Sequence, residues 1–543
     1  KQTWNILHQA LGMKQNTMKN SPIALSINNA LTTDQSIIAN TFNNYFVNVG
    51  HEIQNKIPPS QRTYDLYLPP SQTNSIFIDE VSEADVVLAI KSLKTKTSSG
   101  HDNISTKLLK QTFPAILTPL THIINTSFRS AIIPHQMKQA KVIPIHKAAD
   151  PHLPENYRPI SMLPAFSKVL ERLMYNKLPP FLESHNLFYK HQYGFRKSHS
   201  TIHPIIHFLN QCAIANNSAP PNSTLAIFCD LSKAFDVFDH KILIHKLSNI
   251  GIRGIALKWI TNYITDRTQY VNISQTNSNI SRILTGVPQG SILGPLLYLI
   301  YVNDISQATD ASILSFADDT TITISARSNE QLFTKANKAL TEINTWFTAN
   351  KLFLNLNKTQ YMIITPSQKS FTTENNTLQV ANHNITRTTS TKFLGIHIDQ
   401  HLTWKTHISK MNSKVSKAIF AIQQVKHFLP TTALKTLYFS LIHPHLLYSI
   451  HAWGNTPSNS LNSTIRLQKK AIRIINKAKY NSHTEPLYKK SNILKLTHLY
   501  EQQIALFLND FHHKRLPVSF NNTFQYTQDI RTRNTRSNNM FYY

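Results

Sequence analysis

The sequence predicts an α+β fold, and three observations carry that expectation. Helical apolar patterns are interspersed with short β-rich runs rather than alternating regularly with them. The run at 312–325 reads as two strands meeting at a tight turn, which implies antiparallel pairing. The last third is helical in pattern and strongly basic. Such a mixture argues against an alternating parallel sheet.

Length and composition set the outer bounds. A chain of 543 residues buries a large core and has room for roughly two to four domains or subdomains. Hydrophobic residues make up 41% and aromatics 10%, a globular rather than disordered balance. Lys and Arg number 56 against 28 Asp and Glu, for a formal charge of +28. An excess of this size repels itself and points to a polyanionic partner, a phosphate backbone before an anionic membrane. No apolar run approaches the ~18 residues of a spanning helix. The longest, 292–302, is short and contains Gly294 and Pro295. Cys212 and Cys229 are the only cysteines, so a disulfide framework and a cysteine zinc knuckle are both excluded, as fits a reducing intracellular compartment. The pairs His203/His207 and His512/His513 have no thiolate or carboxylate cluster beside them and read as ordinary histidines. The chain opens on Lys1 without Met or signal peptide and is expected to be a piece of a longer polyprotein.

The elements follow in order. Residues 1–75 are polar and Asn-rich, with a helical pattern at 37–49 and a Pro-rich end (Pro58, Pro59, Pro69, Pro70), and read as an extension or linker. A helix within 76–93 opens at Ser82, with Glu83 and Asp85 in its first turn. A second spans 108–130, a strand covers 140–145, and the Pro-rich, charged stretch 146–159 reads as a loop. STLAIFCDLS at 223–232 is a buried strand ending at Asp230. Helices at 239–250 and 253–265 precede a strand at 270–273. Asp318 and Asp319 occupy the hairpin turn within 312–325, and Leu332, Ala336, Leu340, Ile343 and Phe347 then recur at helical spacing. Between Gln400 and Thr484 there is no Asp or Glu, although Met411, Val415, Ile419 and Ile422 keep a helical period. With no acid nearby to neutralise them, Lys469, Lys470, Arg473 and Lys477 are expected to bind nucleic acid. The resulting division is 1–75 extension, 76–400 main unit, 401–515 basic helical region and 516–543 tail.

Three aspartates carry the chemistry. Asp230 ends one strand and Asp318 and Asp319 sit at a hairpin tip, so folding brings carboxylates from distant sequence together. Hard divalent cations prefer such oxygens, and phosphoryl transfer to a hydroxyl uses paired ions of this kind. An isolated Asp-Asp pair is more often just a turn, because Asp favours turns for local reasons. FCDLSKAFD upstream and apolar strands on either side of FADD raise the signal well above that.

The motifs resemble those of non-LTR (LINE-type) retrotransposon reverse transcriptases. FCDLSKAFD at 228–236, TGVPQGSILGP at 285–295 and FADD at 316–319 resemble the family's three catalytic motifs. LNKT at 356–359 resembles the fourth, FLGIHI at 393–398 the primer-grip hairpin. KVIPIHKAADPHLPENYRPISML at 141–163 and QYGFRKSHST at 192–201 resemble the finger motifs. All stand in the family's order over roughly residues 75–515, and the clade resembled is jockey-like or chicken-repeat-like.

The resemblance implies a right-hand polymerase with fingers, a palm built on an antiparallel sheet and a helical thumb, followed by basic helices. Its activity would be RNA-directed DNA polymerisation, priming on nicked target DNA. Asp230, Asp318 and Asp319 would be catalytic, with Asp230, Asp318 and the Leu231 carbonyl holding two Mg2+ ions (or Mn2+). Lys147 and Arg158 would contact the incoming triphosphate, Phe235 would be the steric gate against a ribose 2′-hydroxyl, Gln289 would contact the nucleotide's sugar, and Lys358 would protonate departing pyrophosphate. Implied partners are an RNA template, a DNA primer or target and deoxynucleoside triphosphates, with an endonuclease expected upstream in the full-length protein. No spaced carboxylates after 400 suggest a ribonuclease H site. Site of action would be the nucleus, after synthesis in the cytoplasm. One departure is Val237-Phe238, where the family commonly has Thr-Val. It lies beyond the metal-binding position and bears on packing. The competing readings are a group II intron-like maturase, a domesticated polymerase, and a decayed copy that binds RNA without polymerising.

Overall fold

The computed structural model describes residues 24–60, 62–147, 149–365, 377–521, 523–526 and 541–542. The start of the expected extension (1–23) and most of the expected tail lie outside the described residues. The larger elements run as follows. Helices α1 (Gln35–Asn55), α2 (Glu83–Ser92) and α3 (Thr106–Ser130) precede strands β1 (Gln139–His146) and β2 (Tyr157–Met162). Helices α4 (Ala165–Ser184) and α5 (Ile202–Asn217) lead to β3 (Ser223–Cys229). Then come α6 (His240–Asn249), α7 (Gly254–Ile264), β4 (Arg267–Ile273), α8 (Gly294–Tyr301), β5 (Ser312–Phe316) and β6 (Asp319–Ala326). They are followed by α9 (Asn329–Ala349), β7 (Gln360–Ile364), β8 (Thr386–Arg387), β9 (Ser390–Phe393) and β10 (Ile396–Asp399). The C-terminal region is helical: α10 (Lys405–Val425), α11 (Thr431–Leu441), α12 (Ser458–Ile475) and α13 (Leu496–His512).

The central sheet has the order β8-β7-β3-β6-β5, with β3 antiparallel to both of its neighbours. Both faces are covered, which is why β3 reads as an unbroken apolar run instead of an alternation. Leu225, Ile227 and Cys229 of β3, with Ile322, Ile324, Tyr361 and Ile363, face one core shared with α4, α6, α7, α8 and α9. Ala226, Leu314, Met362 and Ile364 point the other way, into a second core shared with α5 and the C-terminal helices. In that core Met411, Val415, Ile419 and Ile422 of α10 meet Ile472 and Ile475 of α12. The helical period read from residues 411–422 is therefore the buried stripe, and the lysines between those positions stay outside.

A second sheet pairs β2 with β1 antiparallel and β1 with β4 in parallel. Helix α1, capped by the Asp34 carboxylate on the Ser36 and Ile37 amides, lays Ile38, Ala39, Phe42 and Phe46 against Ala140, Val142 and Val271 of this sheet. The segment expected as extension or linker thus contains a helix built into a core. Ser82 opens α2 through a capping box with Asp85, as its sequence suggested.

Two local expectations change. The 146–159 loop gives way to a strand from Tyr157, in which Pro159 stands opposite Pro144. A proline cannot donate to a ladder, so two prolines facing each other disguised the pair. The second concerns the hairpin: its turn is Ala317-Asp318, and Asp319 opens β6 opposite Phe316. Val237 and Phe238 are fully buried, in keeping with a packing role. Cys212 and Cys229 are buried free thiols. No helix among the described residues is long and apolar enough to cross a membrane.

Candidate active site

The register of the central sheet brings the three aspartates to one edge. Cys229 pairs with Thr320, so the next residue, Asp230, leaves β3 where Asp319 enters β6. Asp318 sits beside it on the turn. Burial and the nearby charges of Asp318 and Asp230 push the Asp319 carboxyl up to about 6. Three acids crowded in this way repel one another, and their oxygens suit a hard divalent ion. Among the described residues no group of three or more His, Cys, Asp or Glu side chains is placed to hold a metal ion by itself. Ions fitted here would share their coordination with backbone and with substrate oxygens, as magnesium sites commonly do.

Downstream residues fix the loop that carries Asp230. Leu231 bridges Leu354, the Asn355 amide donates to the Asp230 carbonyl (2.8 Å) and the Ser232 amide to that of Phe353 (3.1 Å). Those two bonds leave the Leu231 carbonyl out of the bridge. The Thr359 hydroxyl, fully buried, accepts from the Asp230 amide at 3.4 Å. Lys358 then stands with Nζ 4.0 Å from Asp230 Oδ2. The LNKT segment is thus a brace for the Asp230 loop as well as the carrier of a lysine.

The turn at Ala317 is held from a different direction. Ala317 has φ +58°, a left-handed conformation that costs a residue with a Cβ about 1 kcal/mol. Gln192, 3% exposed, accepts through Oε1 from the amides of Ala317 (3.1 Å) and Gly194 (2.9 Å). The Tyr193 amide donates to the Ser315 carbonyl (2.8 Å) and the Ser315 amide to that of His191 (3.0 Å). A Cβ on Gly194 would lie 2.1 Å from the Ala317 nitrogen, so only glycine permits this approach.

The remaining candidates form two groups. Phe235 lies between Tyr298 (ring centroids 4.7 Å) and Phe195 (6.0 Å, edge-on). Tyr298 is buried while Phe195 is 49% exposed at φ +55°. Gln289 is in the loop before α8, whose backbone is tied to β2 by the Ser161 amide on the Gln289 carbonyl (2.8 Å). Its side chain donates to both oxygens of Asp236, each at 2.9 Å. Glu171, buried on α4, accepts from the Ile292 and Leu293 amides and holds the far end of the same loop.

The second group is cationic. Lys147 and Arg158 are exposed where β1 ends and β2 begins, with Arg158 opposite Ile145 and the Lys147 amide on the Asn156 carbonyl (2.8 Å). Lys233 comes in from the β3 side. Its Nζ donates to the Glu155 (3.3 Å) and Tyr157 (3.5 Å) carbonyls and lies 5.5 Å from the Tyr45 ring centroid. Burial lowers its pKa and the Lys147 and Arg158 charges act in the same sense, against Asp236 and Glu155. Lys469, Lys470 and Lys477 are exposed on or just past α12, whereas Arg473 donates through Nε to the Ser482 carbonyl (2.9 Å) and is partly tied down.

Sequence reasoning missed Lys233, Asp236, Gln192, Thr359 and Glu171 as site residues. The first four were in view inside quoted motifs; only their contacts reveal what they do. Glu171 had no signal beyond being an acid within an otherwise apolar helical period.

Comparison with known proteins agrees with this geometry. Residues 145–398 match the family described as reverse transcriptase (RNA-dependent DNA polymerase). The chain is 29% identical over 461 residues to the probable RNA-directed DNA polymerase from transposon BS of Drosophila melanogaster, covering 82% of this chain and 49% of that protein. It is 26% identical over 456 residues to the RNA-directed DNA polymerase from mobile element jockey of the same fly (80% and 48%). Over 386 residues it is 26% identical to the fly's probable RNA-directed DNA polymerase from transposon X-element (69% and 42%). The chain spans about half the length of the curated relatives it matches most fully. The matched region, the ordered motifs and the converging aspartates together mark residues 145–398 as a reverse transcriptase domain, within a chain similar to the RNA-directed DNA polymerases of transposon BS and mobile element jockey.

Proposed function

We propose that this chain extends a DNA primer on an RNA template, as the polymerase portion of a non-LTR retrotransposon protein acting at nicked target DNA. The observation that carries the reading is the meeting of Asp230, Asp318 and Asp319 at one sheet edge, with Asp319 raised by burial and by its acidic neighbours. In this reading the central sheet is the palm, the β1–β2–β4 sheet belongs to the fingers and the helices after 400 form thumb and nucleic-acid-binding surface. Two Mg2+ ions (or Mn2+) bound by Asp230, Asp318 and the Leu231 carbonyl would supply activation of the primer hydroxyl and charge relief for leaving pyrophosphate. Asp319 positions the primer end. Lys147 and Arg158 bind the triphosphate, where fixed cations offset charge building on the leaving group. Lys358, with Nζ 4.0 Å from Asp230 Oδ2, donates a proton to the departing pyrophosphate. Phe235, held by Tyr298, closes the space beneath the sugar's 2′ carbon. Lys469, Lys470 and Lys477 face nucleic-acid phosphates, with Arg473 in a supporting place. The nick comes from an endonuclease outside this chain. The intact aspartates and finger cations favour a polymerase over an RNA-binding remnant.

The test is primer extension on poly(rA)·oligo(dT) with dTTP and Mg2+. Template-dependent extension that stops on chelation is the expected result. A soluble, folded chain that binds the hybrid but adds no nucleotide would overturn the reading.

A further inference from the structure

Asp236 is a carboxylate that the chemistry above does not use. It closes FCDLSKAFD, six positions beyond Asp230, and its side chain meets Gln289, not the catalytic aspartates. Its surroundings are fixed. The Asp236 carbonyl accepts from the Thr285 hydroxyl (2.9 Å), and a Cβ on Gly50 of α1 would lie 2.2 Å from that carbonyl oxygen. On the other side Gly286, at φ +69°, approaches so closely that a Cβ there would be 2.7 Å from the Asp236 Cα. Burial raises the Asp236 carboxyl to about 6, while the Gln289 hydrogen bond and the Lys233 charge act in the opposite direction. At neutral pH it is therefore a charged acceptor.

The consequence falls on Gln289. A carboxylate has no proton to give, so only the amide nitrogen of Gln289 pairs with it. Nε2 spans both oxygens at 2.9 Å each, and this leaves Oε1 as the atom that Gln289 offers elsewhere. Its backbone is also pinned, by Ser161 on one side and by the bonds of Glu171 to Ile292 and Leu293 beyond it. With the backbone held, the bonds to Asp236 fix the orientation of the Gln289 amide. Without Asp236 the amide would be free to turn either its donor or its acceptor to the nucleotide.

We propose that Asp236 is a positioning residue that locks the Gln289 amide with its oxygen toward the incoming nucleotide, so that Gln289 recognises a hydroxyl donor on the sugar. A deoxynucleoside triphosphate has one sugar hydroxyl, on the 3′ carbon, and a dideoxynucleotide has none. The inference rests on the polymerase reading and adds a specificity device to it.

The experiment compares dTTP with ddTTP on poly(rA)·oligo(dT), using the full chain and its Asp236→Ala, Asp236→Asn, Gln289→Ala and double Ala variants. In Asp236→Ala, KM for dTTP should rise by about tenfold, the worth of one oriented hydrogen bond, and by more than kcat falls. KM for ddTTP should hardly move, so the preference for dTTP shrinks. Asp236→Asn keeps an oxygen that accepts from Nε2 and should recover part of the preference. The double variant should be no worse than Gln289→Ala, because the two residues act as one unit. A purely structural Asp236 would lower dTTP and ddTTP use together, or add its effect to that of Gln289→Ala, and either result overturns the proposal. If the wild-type chain extends no primer, the polymerase reading fails by itself. Equilibrium titration of the primer–template complex with dTTP and ddTTP, which requires no chemistry, then still decides the role of Asp236. Equal loss of both ligands in Asp236→Asn would contradict it.

Discussion

At the scale of single residues, the site depends on side chains whose neighbours restrict them to one arrangement. Phe235 is the clearest case, because Tyr298 beneath it and Phe195 at its edge leave the ring little freedom. Phe235→Ala should therefore relax sugar discrimination, measured as ribonucleotide against deoxyribonucleotide incorporation, by at least about tenfold, since steric exclusion by a held ring is lost. An unchanged ratio would make Phe235 a core residue only. Gln192 holds the aspartate turn in the same spirit. Removing its oxygen strands the buried amides of Gly194 and Ala317, at about 1–3 kcal/mol of lost stability. Gln192→Ala should slow extension without weakening hybrid binding, and equal loss of both would assign Gln192 to the nucleic-acid grip. The aspartates were legible in the sequence because strand and turn patterns bracket them. Gln192 and Asp236 were not, because their roles come from contacts across 125 and 53 positions of sequence.

At the scale of elements, a histidine-rich helix joins the central sheet to the end of the chain. His203 and His207 of α5 pack against Phe520, and Tyr193 donates to the Ser519 hydroxyl at 2.9 Å. No thiolate or carboxylate cluster beside these histidines in the sequence suggested a metal role for them. Instead burial lowers His191, His203 and His207 to about 4, with neighbouring histidine or lysine charges adding to it. Between that value and the ordinary 6.5 the unfolded chain binds the extra proton and the folded one does not, so stability falls as pH drops through this window. For the buried His203 the loss at pH 5 is about 2 kcal/mol. Thermal unfolding at pH 7 and pH 5 should show a clear drop that His203→Gln reduces; parallel curves would contradict it. Helix periods such as Leu332 to Phe347 were legible because burial on one face imposes them. The Tyr157–Met162 strand was hidden, since Pro159 breaks the donor pattern that marks a ladder.

At the scale of the whole molecule, the proposed chemistry and the proposed grip on nucleic acid lie on differently charged parts of the chain. The aspartates lie at an edge of the central sheet, while the acid-free 400–484 span folds into helices that bury one face and expose lysines on the other. Neutralising Lys469, Lys470 and Lys477 together should weaken hybrid binding at low salt. It should also flatten the log-affinity against log-salt slope by about 2–3 units, at roughly 0.7–0.9 per phosphate contact. Parallel slopes would make these lysines a solubilising face and leave the catalytic assignment untouched. If the two tasks are separate, chemistry must be removable without the grip. The most direct test of the central claim is therefore primer extension and hybrid affinity measured side by side for wild type and for Asp318→Ala combined with Asp319→Ala. The expected result is extension reduced by at least about a thousandfold, the scale of lost electrostatic catalysis, with affinity nearly intact. Extension at the wild-type rate by the double variant would contradict the account.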